Sequence, residues 1–288
     1  MRLLGSCYRI ALNAWIQFLA DDGWAIASHI ALSALMSLFP FIIIVTALAG
    51  FFGTTELADE VARILLEAWP TAVAEPIARE IRNVLTTVRG DVLTVGVVLA
   101  VYFASSGIES LRIGLNRAYG MAEIRTWWLL RLESIGYMLL SAAALLVMAV
   151  FVVLAPLIMA TAVRYAEWLA PFWGLLDLLR LAVAAVVLIA SLIIVHKWLP
   201  AGRRKLREIA PGIVATLVLW LIAGELFGSY LARFAYTYVT YYAGLASAMI
   251  ALVFLYVCAS IFIYGGELNA AITRSRIKKA VDKADSRA

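Results

Sequence analysis

Glu225 is the residue that most calls for a chemical explanation. It lies well inside a long apolar run, between Gly224 and Gly228. A carboxylate placed there needs a donor, a proton or water. Two readings stand: proton or cation coupling, or a neutral, hydrogen-bonded Glu225 whose glycine neighbours seat another helix. His29, Ser33 and Ser37 recur every four residues in an earlier run, with Pro40 just beyond. They share one helical face, which suits either a polar pathway or helix–helix hydrogen bonding.

A second group collects at the ends of three apolar runs. It comprises Glu109, Arg112, Asn116 and Arg117, then Arg125, Arg131 and Glu133, then Glu267 and Asn269. A charge at the centre of a bilayer costs about 2.5–3.5 kcal/mol on insertion scales and much less near the ends. Glu109 and Arg112 are three apart, a pairing distance on a helix. Joined, these residues form a polar cluster closing one end of a helix bundle. Taken singly, they snorkel to the interface.

Enzyme chemistry is not expected. His29 and His196 lie on different apolar runs, and neither belongs to a metal-binding motif. There is no phosphate-cradling glycine loop and no nucleophile elbow. Cys7 and Cys258 are far apart and indicate neither a disulfide framework nor a metal site. No catalytic residue, metal or cofactor is therefore assigned.

The elements that must hold these residues are membrane elements. Apolar residues make up 64% of the 288 and charged ones only 15%, with mean hydropathy +0.93. Soluble domains carry about 45–50% apolar and about 25% charged residues, so the excess here needs lipid as solvent. The fold class is all-α, with six transmembrane helices. Their approximate ranges are 24–52, 92–111, 127–162, 172–195, a fifth starting after Pro211 and ending near Tyr230, and 244–268. Residues 112–125 are read as a short basic loop. Residues 53–90 carry two amphipathic patterns broken at Trp69-Pro70 and are predicted to form a helical hairpin between the first and second spans.

Residues 1–23 read as an amphipathic interfacial helix, with Leu4, Tyr8, Leu12, Trp15 and Leu19 on one face. They lack the apolar core and cleavage site of a signal peptide. Residues 24–272 form the membrane domain, and residues 273–288 a basic tail expected to fray. An even number of spans puts both termini on one side. The N-terminal segment, the 112–131 and 197–207 regions and the tail are rich in Arg and Lys. The other side holds Arg63, Arg79, Arg82, Arg89, Arg164, Arg180 and Arg233. The excess predicts both termini in the cytoplasm and the hairpin in the periplasm.

Short pieces spread through the chain resemble the BrkB/YihY family of bacterial inner-membrane proteins, from Asp21 to Asn269. They are Ser37-Leu38-Phe39-Pro40, Ser106-Gly107, Asn116-Arg117-Ala118-Tyr119, Glu123 with Arg125, Leu199-Pro200, Pro211-Gly212, Tyr242-Ala243-Gly244 and Gly266-Glu267-Leu268-Asn269. Family members carry a tyrosine a turn or two before the Ser-Leu-Phe-Pro; this chain has Leu32 and Ser33 there. The resemblance implies a six-span, transport-like protein of the inner membrane. An old ribonuclease label attaches to the family, and none of the residues above supports it.

Two functions follow as expectations. The first is transport or export of a small or lipid-like solute. The alternative is a non-transporting membrane protein that binds lipid or a protein partner in envelope maintenance. Membrane lipids are expected partners and nucleic acid is not; self-association is left open.

Overall fold

A computed structural model describes residues 2–51, 90–148, 151, 159, 173–242 and 245–285. Residues 53–89 of the predicted hairpin, most of residues 149–162 of the third span, and Pro156 lie outside the described residues. Every regular element among the described residues is an α-helix: α1 (Arg2–Ala20), α2 (Gly23–Phe51), α3 (Gly90–Ala118), α4 (Trp127–Met148), α5 (Trp173–Trp198), α6 (Leu206–Tyr242) and α7 (Ala246–Asp285). Among the described residues, four stretches are long and apolar enough to cross a membrane: Thr94–Ala118, Gly174–Trp198, Leu206–Arg233 and Ala248–Asp282. Gly23–Ser37 is a shorter apolar helical stretch.

Three helix boundaries differ from the sequence expectation. The second span does not stop at Leu111; α3 runs on to Ala118. Arg112, Asn116 and Arg117 are therefore helical, not in a loop. Its end is a Schellman motif, with Met121 N–H donating to Asn116 O (2.8 Å) and Gly120 N–H to Arg117 O (2.9 Å). Gly120 takes the left-handed conformation this needs, at φ 62°.

The fifth helix starts before Pro211, at Leu206. Glu208 reaches back to the Lys205 amide (2.9 Å), half of a capping box. That cap sets the start early enough for Pro211 to lie inside the helix. The tail also departs from expectation, since α7 continues to Asp285. Its Ala, Ile, Arg and Lys residues are compatible with a helix, and Thr273 Oγ1 donates back to Asn269 O.

The chain divides into two compact units. The first is Met1–Asp22, Arg112–Leu217 and Ile263–Ala288; the second is Gly23–Leu111 and Val218–Phe262. Within the first, Phe18, Leu115, Leu199, Ile209 and Ile263 are fully buried. Helix α1 buries Ala14 and Phe18 and exposes Tyr8, Leu12, Trp15 and Leu19. It is fastened to α7 by Tyr264, whose hydroxyl donates to Ala11 O (3.3 Å) and whose ring meets Trp15.

In the first unit α6 and α7 meet through glycine. A Cβ on Gly212 would collide with Gly265 O and the Asn269 side chain; one on Gly265 would collide with Thr216 Oγ1. Each helix thus sets a glycine against the other's polar side chain four residues away, Gly212 against Asn269 and Gly265 against Thr216. Small residues permit this approach where lipid supplies no hydrophobic drive.

The second unit packs Ala27, Ile30, Ala31, Ala100, Ala259 and Phe262. Trp24 stacks on Tyr256, Phe227 meets Phe254, and Trp220 Nε1 donates to Cys258 O.

Candidate functional site

Polar side chains concentrate in the first unit. Arg112 is 2% exposed, Asn116 7%, and Ser134, His196, Thr216, Glu267 and Asn269 none. Burial of such groups is unfavourable unless each is paired.

The segment between α3 and α4 supplies one hub, Glu123. Arg125 grips its carboxylate with Nε on Oε1 (2.8 Å) and Nη2 on Oε2 (2.7 Å), the bidentate geometry that suits guanidinium. Asn116 Nδ2 adds a third bond at 3.0 Å. The Arg125 grip, with Asn116 assisting, holds the Glu123 carboxyl down to about 2. Arg125 also donates to Glu133 (2.7 Å) and to Leu199 O (3.2 Å). Asn116 Oδ1 accepts the Ala201 amide at 2.6 Å. Arg112, 4.0 Å from Glu123, donates to Leu130 O and Ser134 Oγ on α4. One set of bonds therefore ties α3, α4 and the α5–α6 connection.

A second chain of bonds has a direction. Gly212 N–H donates to Asn269 Oδ1 at 2.6 Å, beside the turn that Pro211 disturbs. That assigns oxygen and nitrogen of the Asn269 amide. Asn269 Nδ2 then donates to Tyr119 Oη (3.2 Å), and Tyr119 pairs with His196 Nδ1 (3.1 Å). The donor in the Tyr119–His196 pair follows the tautomer of the imidazole, since the phenol oxygen can accept from Asn269 whichever way its own proton points. Burial pushes the Tyr119 phenol up to about 12, so it remains neutral. The Arg204 guanidinium lies over its ring, 3.9 Å from the centroid. The chain joins α6, α7, the end of α3 and α5 through four polar groups.

Glu267 is the third feature. Neither carboxylate oxygen accepts a hydrogen bond among the described residues. Arg274 Nη2 stands 3.6 Å away. Asp21 sits in the α1–α2 turn, where Asp22 has φ 55°. Gln17 donates to Asp21 Oδ2, and Arg117 donates to Asp21 O and Asp22 Oδ2.

Of the residues picked out from sequence, Arg112, Asn116, Arg125 and Glu133 join the Glu123 hub, and Asn269 joins the directed chain. Arg117 bonds the α1–α2 turn from an exposed position. Glu109 and Arg131 are half-buried on α3 and α4 and make interactions of their own. Sequence reasoning missed Tyr119, Glu123, His196, Arg204 and Thr216 as site residues. Tyr119 and Glu123 did stand among the resemblance motifs. No local pattern marks His196 or Thr216.

The α2 polar face and Glu225 fall in the second unit. His29 Nδ1 pairs with Ser110 Oγ at 2.5 Å, and Ser33 lies buried against Gly107. Ser37 donates to Ala34 O on its own helix. Pro40 lies within α2, which continues past it to Phe51. Glu225 is exposed on α6, and among the described residues none of His29, Ser33 and Ser37 bonds to it. A Cβ at Gly224 or Gly228 would meet nothing within 4 Å. Among the described residues no group of three or more His, Cys, Asp or Glu is placed to hold a metal ion.

Comparison with known proteins places these features in context. A family model described as Virulence factor BrkB matches residues 14–288. The ribonuclease-like protein YfkH of Bacillus subtilis (strain 168) is 26% identical over 268 residues, covering 90% of this chain and 94% of that protein. No solved structure matches.

Proposed function

The chain belongs to the BrkB family, and from that premise we propose that it transports or exports a small or lipid-like solute across the bacterial inner membrane. The reading uses six spans with both termini in the cytoplasm and the 53–90 hairpin in the periplasm. The observation that carries it is the directed chain Gly212–Asn269–Tyr119–His196, buried among apolar membrane-length helices. Polar and ionisable groups within membrane helices are costly, and an intramembrane ionisable residue is by default a candidate for a functional site. The exposed Tyr8, Leu12, Trp15 and Leu19 face of α1 suits a helix lying in the lipid interface. The proposal is of a non-enzymatic protein; the ribonuclease in YfkH's name describes that protein.

One observation favours the alternative, a non-transporting protein that binds lipid or a partner. His29 on α2 pairs with Ser110 on α3 and Ser37 is satisfied by Ala34 O on its own helix, so these polar groups find partners within the protein. Water access separates the two readings. Thr216 is fully buried over Gly265, and its hydroxyl has no partner among the described residues. In a chain lacking Cys7 and Cys258, Thr216→Cys should react with a small impermeant thiol reagent if a pathway opens there. Complete protection in the folded protein, with reaction only after unfolding, supports the non-transporting reading.

A further inference from the structure

Two connections of the first unit meet in one surface. Residues 199–205 join Gly174–Trp198 to Leu206–Arg233, both long and apolar enough to cross a membrane, so this short connection lies at a membrane edge. Residues 119–126 join α3 to α4 and pack against it. Arg125 Nη2 donates to Leu199 O at 3.2 Å, and Asn116 at the end of α3 accepts the Ala201 N–H at 2.6 Å. Met121 reaches Gly202, its Cε 2.8 Å from where a Cβ would stand.

The charge of this surface is unbalanced. Residues 121–133 and 197–208 hold seven Arg and Lys against three Glu. All three carboxylates are engaged within the protein: Glu123 and Glu133 by Arg125, and Glu208 by the Lys205 amide. Arg204 is also engaged, lying over the Tyr119 ring with Nη2 on Ala201 O. Arg203, Lys205 and Arg207 are exposed, and none has a carboxylate partner among the described residues. Lys197 Nζ stands over the Trp198 ring, 4.5 Å from its centroid.

The same surface presents large apolar side chains. Ile124 is 89% exposed and Trp127 79%, and Trp128 and Trp198 are exposed as well. Leaving them in water is unfavourable, and indole is best accommodated where acyl chains meet headgroups. Cations beside indoles at that depth face lipid phosphate. A soluble anion would satisfy the cations and leave Ile124 and the indoles in water. A nucleic acid would need the patch clear of the membrane edge that α5 and α6 set. We propose that this surface binds the phosphates of anionic phospholipid, with Arg203, Lys205 and Arg207 as the cations and Trp127, Trp128 and Trp198 seated among the acyl chains. The site is independent of solute transport: either can fail with the other intact.

The test uses the purified full chain in nanodiscs of phosphatidylcholine, doped with brominated phosphatidylglycerol or brominated phosphatidylcholine. Bromine on the acyl chains quenches nearby indoles, so the excess quenching by phosphatidylglycerol measures preference for the anionic lipid. The wild type should show that excess, and added potassium chloride should weaken it. Each cation near an anionic leaflet is worth about fivefold in binding, so combining Arg203→Gln, Lys205→Gln and Arg207→Gln should lower the preference by more than about tenfold. Those side chains are exposed, and the variant keeps every hydrogen bond named above. Arg276→Gln with Lys278→Gln, on the exposed end of α7, should keep the preference. Equal quenching by the two lipids in the wild type, or a preference that salt does not weaken, would overturn the proposal. So would a preference lost in the α7 variant and kept in the connection variant. Removal of the preference by inorganic phosphate, where chloride at equal ionic strength spares it, would assign the cations to a soluble anion. Displacement of phosphatidylglycerol by a single-stranded RNA oligonucleotide at fixed ionic strength would assign them to nucleic acid. Either result rejects the lipid site.

Discussion

Asn269→Leu tests the directed hydrogen-bond chain, and its cost can be worked from the bonds removed. Asn269 is fully buried, accepts the Gly212 amide at 2.6 Å and donates to Tyr119 at 3.2 Å. Leucine keeps the volume and removes both. The Gly212 N–H becomes a buried donor with its acceptor gone, at about 1–3 kcal/mol. The Tyr119 oxygen loses one partner, worth about 0.6 kcal/mol between membrane helices on average. The single substitution should therefore destabilise by about 1.6–3.6 kcal/mol. Tyr119→Phe removes the shared bond from its other end, together with the bond to His196. The shared bond is lost in both single variants, so the double variant should cost less than their sum by about 0.5–1.5 kcal/mol. Reversible unfolding of the purified protein in mixed micelles measures all four corners of the cycle. Additivity within about 0.3 kcal/mol would refute the chain, since uncoupled sites behave that way.

The glycines give a paired contrast. Gly212→Ala should cost about 1–3 kcal/mol or more, because its Cβ meets backbone on α7, whereas Gly224→Ala should be neutral or stabilising by up to about 1 kcal/mol; equal melting temperatures would remove the α6–α7 contact from the account. Glu123 sets a pH dependence. Its carboxyl is lowered from 4.5 to about 2 by Arg125, so its contribution is complete above pH 4.5 and disappears as pH falls through 2. Glu123→Gln should lower stability at pH 7 by about 2 kcal/mol, allowing for solvent screening, and flatten the acid limb of the unfolding curve; an unchanged limb would mean that the carboxylate titrates normally. Glu225→Gln should unfold within about 0.5 kcal/mol of wild type, because the side chain is exposed; a larger loss would reveal a partner. A cysteine introduced at Glu67, in a chain without Cys7 and Cys258, should label from the periplasm, and labelling only from the cytoplasm would invert the proposed topology.

The all-helical class could be read from composition and run length, because only lipid accommodates so apolar a chain. Helix ends were harder. The Leu206 start depends on Glu208 capping Lys205, which lacks the usual serine or threonine signal, so Pro211 drew the expected boundary too late. The α3 end depends on a Schellman motif at Gly120, and the glycine was visible although its geometry was not. Arg112, Asn116, Arg125, Glu133, Glu267 and Asn269 stood out because polar residues are rare at the ends of apolar runs. Tyr119, His196 and Thr216 did not, because aromatic, histidine and hydroxyl side chains at a membrane edge are ordinary. Their roles arise from contacts between helices far apart in sequence, as between Tyr119, His196 and Asn269. The even spacing of His29, Ser33 and Ser37 puts them on one helical face. It carried no information on what that face meets, which is Ser110 and Gly107 for the first two residues.

The central claim is transport, and the most direct measurement is movement across liposomes containing the purified protein. A fluorescent phospholipid quenched from outside reports lipid translocation, and current across a supported membrane reports charged solutes. Wild-type protein should accelerate at least one of these over protein-free liposomes, and Tyr119→Phe, if folded, should lose the acceleration. Wild-type protein that is folded and correctly inserted, yet indistinguishable from empty liposomes in both measurements, would contradict transport and leave the lipid- or partner-binding reading in its place.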